Sequence, residues 1–365
     1  MVKTVALVVG ARPNFMKAAP LMRELHKHPT RFRPLLIHTG QHYDHNMSQL
    51  FFDELRLSEP DVYLGVGSST QARQTATIMI ELENLWLDSP PDLVIVFGDV
   101  NSTMAAALVA AKLRIPLAHV EAGLRSFDPN MPEEINRIVT DRLSDFLFAS
   151  EESGLKHLKA EGVPDEKVFH MGNIMIDTLI NSLAACKEKP VLEELGLKPG
   201  QYAALTMHRP SNVDDAHTLA ELLKVIVEES KRLPFVFPCH PRTRKEMAKL
   251  GAFEEEATSR LIMIEPVGYL EFLRLQSQAR FVLTDSGGIQ EETTYLKIPC
   301  ITMRKTTERP ATVDVGSNVM AGPYPDRIKA AIDDVMAGRH KKGDIPKYWD
   351  GHTAERIVDL LLDRF

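Results

Sequence analysis

The sequence predicts an α/β protein of two domains, each built on a parallel sheet with helices on both faces. Three observations lead there. Apolar runs of strand length alternate with helical patterns from end to end, and strands that are apolar throughout belong to sheets covered on both sides. A chain of 365 residues exceeds what one core usually organises. Finally, a βα unit recurs. Leu93–Phe97 leads to Asp99, a helical stretch, Ile115–Pro116 and a strand, while Phe281–Thr284 leads to Asp285, a helical stretch, Ile298–Pro299 and a strand. Ligands of open parallel sheets bind outside the carboxyl ends of strands, so the two aspartates predict halves that face one another across a cleft.

Taken in order, Val5–Val9 is the first strand, followed by Gly10-Ala-Arg-Pro-Asn-Phe-Met-Lys17. This loop lacks the G-x-G-x-x-G spacing of dinucleotide sites. Pro13 suits the first turn of a helix, where Arg12 and Lys17 oppose the helix dipole; they are either ordinary solvated cations or the partners of an anionic ligand. Pro34–His38, Leu93–Phe97, Leu117–Val120 and Phe146–Ala149 continue the first sheet. A change near Val168–Asn173 and the connectors at Lys187–Pro190 and Leu197–Gly200 place the domain limits at 1–170 and 171–352. Ala203–Thr206, Phe235–Phe237, Leu261–Ile264, Phe281–Thr284 and Cys300–Met303 form the second sheet. His208, beside Arg209 and Asn212, follows the first of these strands as a ligand-binding candidate, and His240 follows the next as a turn cap. In Asp285-Ser-Gly-Gly-Ile-Gln-Glu-Glu292, glycines open a helix whose N–H groups suit a phosphate, and a carboxylate one turn on suits ribose hydroxyls. Thr353–Phe365 reads as an amphipathic helix capped by Thr353.

Charge and cysteines narrow the function. A net charge of -7 and a pI near 6.0 arise from interspersed charges with no basic block, which argues against nucleic acid as a partner. Cys186, Cys239 and Cys300 are far apart and match neither a disulfide framework nor a zinc spacing. No leader pattern or long apolar span is present, so the sequence reads as cytoplasmic.

The stretch His119–Arg137 gathers Glu121, Asp128, Glu133 and Glu134 beside Arg125 and Arg137 at the end of an apolar strand. Metal-site spacings are absent there. Glu121 admits two readings: an acid/base group whose burial tunes its acidity, or a structural partner of Arg125.

The combination of the Gly10–Lys17 loop, Thr39-Gly-Gln-His42, Gly98-Asp-Val-Asn101, His119–Arg125, Met131–Arg137, His208-Arg209, Asp285–Glu292 and Thr306-Thr-Glu-Arg-Pro310 resembles the non-hydrolysing UDP-N-acetylglucosamine 2-epimerases over nearly the whole chain. The resemblance implies two Rossmann-like domains facing across a cleft in a GT-B-type architecture, with the helix 353–365 returning to the first domain. It implies interconversion of UDP-GlcNAc and UDP-ManNAc by anti elimination of UDP, a 2-acetamidoglucal intermediate and re-addition, with neither metal nor cofactor, in a cytoplasmic homodimer serving polysaccharide synthesis. By the same resemblance Asp99, Glu121 and Glu133 match the acid/base carboxylates and His208 a catalytic or leaving-group histidine. Arg12, Lys17, Ser286, Gly287, Gly288, Glu292 and Arg309 match UDP or substrate contacts, Phe272 the uracil side, and Arg137 a supporting arginine.

Gln41 and His42 mark a possible allosteric loop. Tyr43 after them departs from members that carry Arg there and is closer to a subgroup that includes epimerases of UDP-2,3-diacetamido-glucuronic acid. Two competing readings keep the architecture but not the reaction. A GT-B glycosyltransferase needs an acceptor pocket rather than a carboxylate cluster, and a silent UDP-sugar-binding regulator would have lost one or more of Asp99, Glu121 and Glu133.

Overall fold

The computed structural model describes residues 1–41, 54–55, 57–250 and 260–365. They form two compact units, Met1–Asn181 with Lys347–Phe365, and Ser182–Pro346.

The first unit alternates strand and helix: β1 (Lys3–Val9), α1 (Arg12–His26), β2 (Phe32–His38), β3 (Val62–Tyr63), α2 (Gln71–Asp88), β4 (Leu93–Phe97), α3 (Asn101–Leu113), β5 (Leu117–Ala122), α4 (Pro132–Leu143), β6 (Phe146–Ala149), α5 (Glu152–Ala160), β7 (Val168–His170) and the start of α6 (Ile174–Lys187). Its strands are parallel in the order β3-β2-β1-β4-β5-β6-β7. Every residue of β4 and β5 is buried, as strands covered on both faces require. Helix α3 is rich in alanine, and Ala105, Ala106, Ala107 and Ala110 are buried against the sheet and its neighbouring helices. Small side chains there let backbones approach closely.

The second unit repeats the scheme: β8 (Ala203–Thr206), α7 (Ala216–Ser230), β9 (Phe235–Pro238), α8 (Pro241–Lys249), β10 (Leu261–Ile264), α9 (Tyr269–Ser277), β11 (Phe281–Thr284), α10 (Gly287–Leu296), β12 (Cys300–Thr302), β13 (Asn318–Met320) and α11 (Pro325–Met336). Its sheet is also parallel, ordered β10-β9-β8-β11-β12-β13. Phe235, Phe237, Phe281 and Leu283 fill a core against α7 and α11.

The chain then returns to the first unit as α12 (Thr353–Arg364). The first unit extends to Asn181, beyond the limit at 170 read from sequence. The start of α6 belongs to its core: Ile174, Met175, Ile176 and Leu179 are buried, and Thr178 Oγ1 donates to Met16 O at 2.5 Å. Trp349 Nε1 anchors the returning segment on Ser150 O at 3.0 Å. Thr353 is not the N-cap; His352 holds that position and makes no side-chain cap bond. The cap comes from Asp177 of α6, whose carboxylate accepts from Thr353 N at 3.2 Å and Ala354 N at 2.8 Å.

Asp177→Ala should leave two buried helix-terminal N–H groups without an acceptor. We expect a loss of about 1–2 kcal/mol in urea unfolding followed by far-UV circular dichroism. An unchanged midpoint would show that the cap carries no stability.

Candidate active site

In the first sheet the direction of chain progression reverses between β1 and β4, and the loops leaving these strands diverge to open a crevice. Asn14 builds one wall: its Oδ1 accepts from Gly10 N (3.1 Å) and Ala11 N (3.2 Å) while its Nδ2 donates to Phe97 O (3.0 Å), tying the start of α1 to the end of β4. Lys17, further along α1, is buried with its Nζ against a carboxylate oxygen of the equally buried Glu121. Glu121 lies at φ +74, in the left-handed region that non-glycine residues avoid, where the β5–β6 register shifts between Val120 and Ala122. Such a bulge re-aims a side chain, and strain of this kind collects at functional sites. Gly98, at φ +63 after β4, leaves space for the pair, since a Cβ would stand 2.9 Å from Lys17 Nζ.

Arg125 does not serve as the structural partner that sequence offered for Glu121. It binds Asp141 at 2.7 Å and Glu161 through two bonds of 2.8 and 2.7 Å, because the bulge delivers Glu121 to Lys17 instead.

Helix α4 supplies the remaining groups. Arg137 pairs with Asp99, which keeps 24% of its side chain exposed, and with Glu134 at 2.9 Å. Glu134 also accepts from Ser126 N (2.8 Å), Ser126 Oγ (2.9 Å) and Phe127 N (3.0 Å), clamping the preceding loop. Burial pushes its acidity one way, but the Ser126 and Phe127 bonds and the Arg137 charge outweigh it and hold the carboxyl below its ordinary range. The side chain of Glu133, next in sequence, is half-buried and makes no hydrogen bond or ion pair among the described residues. The neighbouring carboxylates therefore differ: Glu134 is a clamp and Glu133 is not. Arg12 is exposed at the start of α1. Gln41 is buried, and its Oε1 accepts from Ser102 N (3.0 Å) and Ser102 Oγ (2.7 Å); His42 lies outside the described residues.

The second sheet reverses between β8 and β11. Asp285, fully buried, accepts from His208 N (3.0 Å), Arg209 N (2.9 Å) and Asn212 Nδ2 (3.2 Å), so it shapes the turn after β8. Its other oxygen lies 3.1 Å from His208 Nδ1, and the imidazole keeps 52% of its surface exposed. Sequence marked this aspartate only as a strand end; its hold on His208 spans 77 positions and has no local signal. His240 caps α8 by accepting from Arg242 N at 3.2 Å, as expected of a turn cap.

Helix α10 begins at Gly287 after Ser286, with Gly288 next, no side-chain cap bond and no acidic residue in its first turn. Arg309 lies across Gly287, where a Cβ would come within 2.5 Å of its Nη1. Around it, Arg209, Arg304 and Arg309 face Glu291 and Glu308, three cations to two carboxylates. A helix N-terminus beside surplus positive charge suits an anion such as a diphosphate. Phe272 is half-buried on α9, whose Gln276 Nε2 donates to Glu292.

Among the described residues no group of three or more His, Cys, Asp or Glu side chains is placed to hold a metal ion, and no helix is long and apolar enough to cross a membrane. The family model described as UDP-N-acetylglucosamine 2-epimerase matches residues 23–362. A UDP-N-acetylglucosamine 2-epimerase of Methanocaldococcus jannaschii is 41% identical over 362 residues, 98% of each chain. The crystal structure of the M. jannaschii UDP-GlcNAc 2-epimerase in complex with UDP-GlcNAc and UDP matches with a TM-score of 0.90, covering 99% of each chain. A UDP-2,3-diacetamido-2,3-dideoxy-D-glucuronate 2-epimerase of Pseudomonas aeruginosa is 38% identical over 357 residues, 97% of this chain and 98% of its own.

Glu292 yields a test of the second unit. Burial pushes its carboxyl up from an ordinary 4.5 to about 7, with Glu291 adding to the rise and Gln276 and Tyr269 opposing it. A raised folded-state value means that its contribution to stability is fully present below about 4.5 and is lost as pH climbs through about 7. Glu292→Gln, which cannot ionise, should flatten the fall in melting temperature between about pH 5 and pH 8. A variant whose melting profile parallels the wild type would contradict this.

Proposed function

The chain belongs to the UDP-N-acetylglucosamine 2-epimerase family, and from that premise we propose that it interconverts UDP-GlcNAc and UDP-ManNAc by anti elimination of UDP and re-addition to a 2-acetamidoglucal intermediate. The observation that carries this reading is Glu121, an ionisable side chain buried against Lys17 and presented at a strained φ at a strand end.

The reaction needs little else. The C2 proton of a sugar is weakly acidic, so its removal must accompany departure of UDP and positive character at C1, and inversion requires a proton returned to the opposite face. Asp99, Glu121 and Glu133 are assigned to this proton chemistry and to stabilising the cationic carbon. Arg137 holds Asp99 in place, and Lys17 supplies a cation at the same carboxylate cluster. Arg12, Ser286, Gly287, Gly288 and Arg309 are assigned to the diphosphate, which leaves as an anion and is favoured by the start of α10. His208, oriented by Asp285, is assigned to the leaving group, Glu292 to the ribose and Phe272 to the uracil side. Elimination and re-addition move protons and no net electrons, so neither a nicotinamide nor a metal is invoked.

The 38% identity to the diacetamido-glucuronate epimerase supports a second reading with the same mechanism on the uronate. A homodimer is also proposed. Ile80 and Leu87 on α2 and Ile135 and Ile138 on α4 are exposed apolar side chains on helices that flank α3, the kind of face a second copy covers. We also infer a cytoplasmic location, in keeping with three free, widely spaced cysteines.

In D₂O, UDP-GlcNAc should acquire deuterium at C2 as UDP-ManNAc forms. Exchange into the uronate alone would change the substrate, and exchange into neither would remove the mechanism. Activity should survive EDTA and removal of bound nucleotides; loss restored by Mg²⁺ or NAD would contradict it. Glu121→Gln should lower turnover per folded molecule by about 10²-fold or more, whereas a purely structural glutamate would reduce only the folded fraction.

A further inference from the structure

Resting on the epimerase reading, we propose that His119 and Asp141 form a positioning pair that holds Asp99, Glu121 and the helix bearing Glu133 in register for the reaction. His119 is fully buried on β5. Its Nδ1 is 2.6 Å from Asp141 Oδ1 and its Nε2 is 2.7 Å from the carbonyl oxygen of Gly98. Neither a carboxylate nor a carbonyl oxygen can donate, so the ring donates from both nitrogens and carries both protons. Asp141 Oδ2 then accepts from Gly123 N at 3.1 Å and from Arg125 at 2.7 Å, and Arg125 is held in turn by Glu161.

Each of these bonds ends beside a reacting group. The Gly98 carbonyl belongs to the residue before Asp99. His119 and Gly123 bracket the bulge that strains Glu121, one on each side, and both are fastened to the same carboxylate. Asp141 lies on α4, one turn beyond Arg137 and on the helix that carries Glu133 at its start. One imidazole–carboxylate contact therefore ties together β4, β5 and α4. A core of this kind would be more stable with apolar groups of the same shape, because burying an ion pair costs more than it returns unless geometry is needed. What the pair supplies is direction: a neutral or apolar replacement cannot donate to Gly98 and Asp141 at once.

The test uses the full chain and His119→Gln, with Asp141→Asn as a second variant. UDP binding is read by calorimetry, amide hydrogen exchange across β4, β5 and α4 counts the molecules whose first unit is folded, and turnover is read by C2 deuterium exchange from UDP-GlcNAc. A displacement of about 1 Å in a reacting group costs on the order of 10²-fold in rate. We expect both variants to bind UDP at the wild-type affinity and to lose about 10²-fold in turnover per folded first unit, with KM shifted by less than about threefold. The double variant should be little worse than either single one, as expected of residues acting as a unit. Variants with a folded first unit that turn over at the wild-type rate would overturn the proposal, since a merely structural role lowers only their number. Should His119→Gln fail to fold, Asp141→Asn decides by the same measure. In addition, ¹⁵N NMR of the wild-type ring must show two protonated nitrogens; one unprotonated nitrogen would overturn it. A wild-type protein that gives no exchange at all removes the epimerase reading itself, and this proposal with it.

Discussion

Parallel strands all end on the same edge of their sheet, and this constraint organises each unit. Many of the candidate groups lie within a few residues of such an end: Arg12 after β1, Asp99 after β4, Glu121 at the tip of β5, His208 after β8 and Ser286 after β11. In both sheets the groups converge where strand order reverses, because only there do successive loops turn away from each other and leave room for a ligand. The two units use the same edge differently. The first collects carboxylates and the second collects helix N–H groups and arginines.

That division has an energetic counterpart. The first unit buries Lys17 with Glu121, Arg137 with Glu134, and Arg125 with Asp141, arrangements whose desolvation a well-packed apolar core would avoid. It also holds Glu121 and Phe127 at positive φ. The apolar strands around them and the alanine-rich α3 offset these costs, so stability is conceded locally where orientation matters. The second unit also buries ion pairs, Arg309 with Glu291 and Arg304 with Glu308, but its Asp285 meets backbone N–H groups and an amide, a gentler way to hold a turn.

Sequence revealed whatever depends on local pattern. The longer apolar strands were legible from their runs, and the glycines before α10 from their place after a strand. The edge strands β3, β7 and β13, of only two or three residues, carry too little pattern to read. The cap of α12 was misplaced at Thr353 because its acceptor, Asp177, lies 176 positions away. Glu133 and Glu134 are alike in local pattern; the resemblance singled out Glu133, and the physical difference between them is the Ser126–Phe127 loop folding over Glu134. Sequence left the two readings of Glu121 open for a related reason: a bulge reverses which way a strand residue points, and no periodicity announces one. His119 and Asp141 belong to no spacing motif that links them, since a helix and a strand must first be packed together.

The return of α12 to the first unit also bears on how the protein is made. Residues 182–346 are one continuous stretch, whereas the first unit is assembled from two pieces of chain. During synthesis the ribosome must complete the entire second unit before Trp349 can reach Ser150 or Thr353 can reach Asp177. Until then the Asp177 carboxylate and the apolar face of α1 that α12 covers remain open on an otherwise complete sheet. The nascent protein thus emerges with its second unit finished first and its first unit closed afterwards.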